Sequence, residues 1–144
     1  MQIFRRILSV IALLCTLAAC SNAGSAYPYP DPGAFQYIGR DYILTMLYED
    51  PVLPENAPHI MFNGSELNGK GYCNLYSGPY TGDGTVLKPG TIAKTEMACA
   101  DPTLMFLDTR YFTALSEVAS MHLDGTKLSL SNADGTVVLI YAER

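Results

Sequence analysis

The segment that decides the fold runs from Gly69 to Cys99 and reads GKGYCNLYSGPYTGDGTVLKPGTIAKTEMAC. Short apolar stretches in it are separated by Gly-Asp-Gly and Pro-Gly, which are turn sequences that end strands and reverse the chain. The segment also holds two cysteines, Cys73 and Cys99. These features predict a β domain in which this segment supplies several neighbouring strands.

Further strand candidates lie on both sides of this segment. Tyr42, Leu44 and Met46 alternate with other side chains and would share one face of a first strand. Asn63-Gly64 is the strongest hairpin signal in the chain. Seven or eight short strands are predicted, over residues 37–48, 59–62, 65–68 continuing as 71–80, 85–88, 91–97, 120–123, 127–131 and 136–142.

One helix is predicted, over about residues 101–117. Asp101 suits the N-cap and Pro102 suits the first turn. Apolar residues then recur at helical spacing and predict a core-facing stripe of Leu104, Leu107, Tyr111, Leu115 and Val118. Asp108 and Glu117 are expected to face water. The predicted fold class is α+β, a mostly antiparallel, strongly curved sheet or open barrel packed on this helix.

The N-terminus predicts export and lipid attachment. Two arginines precede an apolar run over residues 7–19, which is too short to span a bilayer as a helix and is typical of a signal peptide. Residues 1–19 would be that peptide, and Leu17-Ala18-Ala19-Cys20 resembles a bacterial lipobox. Cys20 is therefore the predicted lipid attachment site. The alternative is an ordinary signal peptide whose cysteine is incidental.

A tether is predicted between the lipid and the domain. Residues 20–36 contain three alternating prolines, which preclude a helix and favour extended backbone. The folded domain would then cover residues 37–144. Ser21, directly after the lipidated cysteine, favours the outer membrane by analogy with enterobacterial lipoproteins, so the expected location is the bacterial cell envelope, facing the periplasm.

Charge and cysteine count narrow the function classes. Cleavage before Cys20 would remove two of nine basic residues and no acidic one, which leaves a formal charge of −7. This charge argues against nucleic acid and leaves the lipid as the membrane attachment, while a basic protein partner in the envelope stays open. Once Cys15 is removed and Cys20 is lipidated, only Cys73 and Cys99 would remain for pairing, and an exported protein favours a disulfide between them over a metal pair or two free thiols.

The chain shows no catalytic constellation, and no cofactor or metal site is predicted. His59 and His122 lie inside predicted strands and lack a nucleophile context. The tyrosines of the central segment are a candidate binding face because their even spacing places them on one side of a strand. Core packing is the favoured alternative for this row, which comprises Tyr72, Tyr76 and Tyr80.

These motifs together resemble the META domain, the HslJ-like family. The glycine-rich segment around Gly71-Tyr72-Cys73-Asn74 resembles the family's Gly-Cys-Asn motif, and Thr95-Glu96-Met97-Ala98-Cys99 resembles its Thr-x-Met-Ala-Cys motif. The resemblance implies a bacterial envelope protein, often a lipoprotein, linked to stress and to antibiotic tolerance. It implies no established reaction. We therefore expect a lipid-anchored envelope protein with a non-enzymatic binding or structural role. The alternative is an inhibitor or sequestering partner of a basic, envelope-directed hydrolase.

Overall fold

The computed structural model describes residues 38–82 and 87–144. The predicted signal peptide, the lipid site Cys20 and the tether lie outside this part, as do residues 83–86, which include most of the Gly82-Asp83-Gly84 turn. Within it, the helix is neither long nor apolar enough to cross a membrane.

Ten strands and one α-helix make up the described domain, which confirms the predicted α+β class. In chain order the elements are β1 (Asp41–Leu47), β2 (Asp50–Pro51), β3 (His59–Asn63), β4 (Glu66–Lys70), β5 (Leu75–Gly82), β6 (Leu87–Pro89), β7 (Ala93–Lys94), α1 (Pro102–Glu117), β8 (Val118–Asp124), β9 (Lys127–Asn132) and β10 (Val137–Glu143).

All strand pairs are antiparallel, and they form one sheet in the order β6-β5-β4-β3-β1-β10-β9-β8. β2 adds to β1 and β7 adds to β5. The two ends of the order, β6 and β8, lie against each other, so the sheet is nearly closed into a barrel around its core. The chain joins the sheet through a parallel bridge between Ile38 and Phe62.

The core sits between the inner face of this sheet and α1. In β5 the buried positions alternate with exposed ones, so that Tyr76 and Tyr80 point inward with Gly78 between them. From α1, Tyr111 and Leu115 are fully buried against the same interior. Large side chains from the middle strands fill the rest, among them Tyr42, Phe62 and Tyr141.

The helix matches its prediction closely. Asp101 caps it, since its carboxylate accepts a hydrogen bond from the Thr103 backbone N–H at 2.8 Å, and Pro102 begins the first turn. The predicted stripe is only partly in the core. Leu104 and Leu107 are half-buried, and Val118 already belongs to β8.

The glycine-rich segment differs from its prediction in two respects. The chain leaves β4 at Lys70 and turns through residues 71–74 before β5 begins at Leu75. Cys73 therefore lies in a tight turn rather than early in a strand. The turn is closed by a 2.8 Å hydrogen bond that the Gly71 N–H donates to the Asn74 carbonyl. The expected strand at 91–97 is also shorter, because only Ala93–Lys94 pair with β5.

Candidate functional site

The turn at residues 71–74 is fixed to the start of α1 by a disulfide. Cys73 and Cys99 are bonded, and their α-carbons lie 5.6 Å apart, within the normal range for such a bond. Because Cys99 comes shortly before the helix cap, the bond connects the sheet to the beginning of the helix. The predicted pairing is present.

A buried carboxylate fixes the same turn from the side of the helix. Asp108 is 2% exposed and accepts hydrogen bonds from the Cys73 N–H at 3.0 Å and from the Asn74 side-chain amide at 2.7 Å. The prediction that Asp108 faces water is therefore wrong. Its position could have indicated this, because it lies three residues before Tyr111 and four after Leu104, on the same side of the helix.

Asn74 extends this network to the segment that follows β7. Its side-chain oxygen accepts hydrogen bonds from the Thr95 hydroxyl at 2.9 Å and from the Met97 N–H at 2.7 Å. A side chain at Gly71 would be obstructed here, since an added Cβ would lie 2.5 Å from an Asp108 oxygen. The Gly-Tyr-Cys-Asn turn thus has a structural explanation, in which the buried Asp108 and Asn74 side chains are hydrogen-bonded.

The tyrosine row lies in the interior. Tyr76 and Tyr80 are buried in β5, and Tyr72 is buried in the turn. A solvent-facing binding face made of these three residues is not formed, and core packing is what the structure shows. The Tyr76 hydroxyl lies 2.6 Å from that of Tyr111, which lies 3.0 Å from that of Tyr141. Burial raises the pKa of all three phenols in this chain of hydroxyls.

Beside this turn, a cleft separates α1 from the loop that follows β1. We call it the helix cleft; its volume is about 230 Å³. Its walls are mainly apolar and come from Leu47, Val52, Leu53, Tyr72, Leu104 and Leu107. Asp50, Glu55 and Arg110 add charge at its edge. Apolar walls with a few polar groups are typical of binding sites.

Arg110 is the basic side chain that lines the helix cleft. Its guanidinium donates to the Asp50 carboxylate at 2.8 Å. It also lies over two rings, with 5.7 Å to the centre of Tyr48 and 5.9 Å to that of Phe106. Burial raises the pKa of the Tyr72 phenol in the cleft wall, and the nearby Arg110 charge opposes that shift. The guanidinium is therefore held in place by contacts within the chain.

The backbone beside the cleft is strained at Tyr48. Residues 48–49 form the two-residue turn between β1 and β2, and Tyr48 has a φ of 55°. Glycine is the usual residue at such a position, and a bulky side chain there costs on the order of 1–2 kcal/mol. The ring contact with Arg110 and a 3.3 Å hydrogen bond from the Tyr48 hydroxyl to Glu117 hold the residue in place.

Comparison with known proteins decides the family. Residues 36–144 match the sequence profile of the META domain. The chain belongs to the META domain family. This match spans both the disulfide turn and the helix cleft, and membership in the family favours a non-catalytic, envelope-associated protein.

Individual relatives agree with this family. The heat shock protein HslJ of Escherichia coli strain K12 is 26% identical over 140 residues, which cover 96% of this chain and 97% of HslJ. A protein structure determined by NMR is 30% identical, covers 72% of this chain and 87% of its own, and superposes with a TM-score of 0.57. An NMR structure from Burkholderia xenovorans is 20% identical, covers 75% and 83%, and has a TM-score of 0.58, which shows a shared fold.

The remaining residues considered for chemistry lie apart from both sites. His59 is half-buried in β3, with its Nδ1 3.4 Å from an Asp41 oxygen, and His122 is exposed in β8. Over residues 38–82 and 87–144, no three histidine, cysteine or acidic side chains are grouped to hold a metal ion.

Sequence reasoning missed the helix cleft, whose signals are the proline-rich loop after β1 and the half-buried start of the apolar stripe.

Proposed function

We propose that this META protein is a lipid-anchored, non-catalytic binding protein of the bacterial envelope and that the helix cleft is its binding site. The observation that carries the binding role is the cleft itself, with apolar walls, a fixed guanidinium and a strained tyrosine beside it. Leu53 at its edge is 79% exposed, which leaves an apolar surface open to a partner.

The anchor rests on the sequence Leu17-Ala18-Ala19-Cys20. We expect the native protein to incorporate labelled fatty acid and to fractionate with the outer membrane. Cys20→Ala should abolish the labelling and release the protein from the membrane fraction. Unchanged membrane partition of that variant would remove the anchor from the proposal.

The binding role is tested by capturing partners from envelope extract with the full chain in detergent. Leu53→Ser removes an exposed apolar side chain from the cleft edge without changing charge. Leu75→Ser is the matched control, because Leu75 is also exposed but lies on β5 outside the cleft. We expect a partner that Leu53→Ser loses and Leu75→Ser keeps. Equal capture by both variants would place binding elsewhere.

A role in envelope stress is supported by the name of the E. coli relative, a heat shock protein. We expect a strain that lacks this chain to survive heat or envelope-directed antibiotics less well, and the intact gene to restore survival. If a gene that carries Leu53→Ser restores survival as fully as the intact gene does, the stress role does not depend on the cleft.

A second candidate function is sequestration of a basic, envelope-directed hydrolase. The acidic side chains favour it, since Asp50 and Glu55 line the cleft, Glu49 precedes Asp50 in the chain, and all three are exposed. Addition of the protein to such a hydrolase should then lower its activity in proportion to the amount bound. Binding without inhibition would leave the first proposal in place and remove this one.

A further inference from the structure

Resting on the proposed binding role, we propose that the helix cleft takes an extended peptide segment in which an apolar side chain neighbours lysine or arginine. The apolar side chain would enter the cleft, and the basic one would meet the carboxylates at its edge. The partner class is therefore a cationic, partly apolar peptide or protein segment.

The size of the cleft favours a single side chain as its occupant. At about 230 Å³ it is smaller than the pockets that enclose whole drug-sized ligands, which start at roughly 300 Å³. Leu53 and Phe106 stand beside it with 79% and 62% exposure. Two exposed apolar residues next to a small cleft suit a peptide that lies across the surface and inserts one anchor.

The charge around the cleft favours a basic neighbour for that anchor. Glu49, Asp50 and Glu55 come from one short stretch of chain and are exposed. Arg110 is the cation in the cleft wall, and Asp50 already pairs with it at 2.8 Å. Glu49 and Glu55 form no ion pair with any residue in the described ranges. An anionic ligand would meet uncompensated carboxylates, whereas a cation would be attracted by them.

The edge of the helix cleft is held in one geometry by contacts within the chain, without a bound partner. Tyr48 keeps its positive φ because Arg110 lies over its ring and Glu117 accepts its hydroxyl hydrogen bond. This places Glu49 at the tip of the β1–β2 turn. A rigid edge loses less conformational entropy on binding, so a short peptide can be held by few contacts.

The test measures fluorescence anisotropy of labelled eight-residue peptides with the full chain in detergent at moderate salt. The probes are an alternating lysine–leucine peptide, a glutamate–leucine peptide and a lysine–serine peptide. We expect the lysine–leucine peptide to bind at least tenfold more tightly than either of the others. Equal binding of the glutamate–leucine peptide overturns the charge argument, and equal binding of the lysine–serine peptide overturns the apolar anchor.

Variants then locate the site. Leu53→Ser should weaken lysine–leucine binding about tenfold, and Glu55→Gln about threefold to fivefold. Leu75→Ser and Glu66→Gln, which change an exposed leucine and an exposed glutamate away from the cleft, should leave it unchanged. Equal loss in the cleft variants and their controls overturns the site.

Together, these experiments distinguish a wrong ligand class from a wrong binding role of the cleft. If an envelope partner needs Leu53 but no cationic peptide binds, the ligand class is wrong and the binding role stands. If neither the peptides nor envelope partners depend on Leu53, the binding role of the cleft is wrong as well.

Discussion

Two neighbouring regions along α1 are built in opposite ways. Towards the turn at residues 71–74, Asp108 is buried, its oxygens accept hydrogen bonds, and a disulfide lies beside it. Towards the helix cleft, Leu53 and Phe106 are exposed and Tyr48 holds a strained backbone. One helix therefore joins a region where polar groups are paired and one where apolar surface is left open.

This comparison indicates that the turn mainly determines stability and that the cleft mainly determines binding. Paired and buried groups contribute to the free energy of unfolding, and their removal leaves donors without partners. Exposed apolar groups contribute little to that free energy and gain contacts only when something binds, while the strained backbone lowers it. Substitutions at the turn should therefore change stability, and substitutions at the cleft should change binding.

The largest effect is expected for Asp108→Ala. The variant leaves the Cys73 N–H and the Asn74 amide buried without an acceptor, which should lower the free energy of unfolding by roughly 4 kcal/mol. Urea unfolding followed by circular dichroism measures it. Asp101→Ala is the control, because it removes only the exposed cap and should cost about 1 kcal/mol. Equal losses in the two variants would contradict the central role of Asp108.

Loss of the disulfide should have the next largest effect. Replacing both Cys73 and Cys99 by alanine should lower the free energy of unfolding by about 3 kcal/mol, since the bond closes a loop with a separation of 26 residues. The fold should remain, because Asp108 and Asn74 still hold the turn. Thiol labelling provides the check on the native protein, in which neither cysteine should react before reduction.

Alkaline pH should destabilise the core through its tyrosines. Burial raises the pKa of Tyr76, Tyr111 and Tyr141 in the folded state, so the unfolded chain loses these protons first as pH rises through about 10. Stability from this source is complete below that pH and falls above it by about 1.4 kcal/mol per pH unit for each tyrosine. Between pH 10.5 and 11.5, the free energy of unfolding of Tyr141→Phe should fall less steeply with pH than that of the native protein, by about 1.4 kcal/mol per pH unit. At pH 8, ionisation of Tyr141 should make no contribution.

The smallest change in stability is expected on the cleft side. Tyr48→Gly removes the strain at φ 55° together with the ring contact to Arg110, so the free energy of unfolding should change by less than about 1 kcal/mol. Binding of the lysine–leucine peptide should nevertheless weaken. Tyr48→Phe keeps the ring and should keep the binding. A loss of stability as large as that of Asp108→Ala would show that the two regions do not differ as described.

Local signals were sufficient for much of the fold. The cap at Asp101, the Pro102 start and the apolar spacing predicted α1 almost to the residue. The Asn63-Gly64 turn correctly predicted the hairpin of β3 and β4, which pair from Asn63 to Glu66 onward. These features depend on neighbours in sequence, and their physical causes act over a few residues.

Long-range contacts account for what the sequence did not reveal. The helical position of Asp108 could indicate its burial, but its partner Asn74 lies in another part of the chain. The residues after β1 form the cleft with Leu104 and Leu107, which lie far along the sequence. The strain at Tyr48 was likewise hidden, because tyrosine is not a residue that normally marks a positive φ.

The bridge between Ile38 and Phe62 fixes the point at which the N-terminal end of the described domain meets the sheet. The N-terminal segment meets the sheet near the beginning of β1, while the turn at Tyr48 follows the end of that strand. Seven residues of strand at about 3.3 Å each separate the two by roughly 20 Å. If the domain is anchored by lipid at Cys20, as we propose, its cleft would therefore be separated from the point where the anchored segment enters the sheet, which leaves room for a partner from the aqueous side.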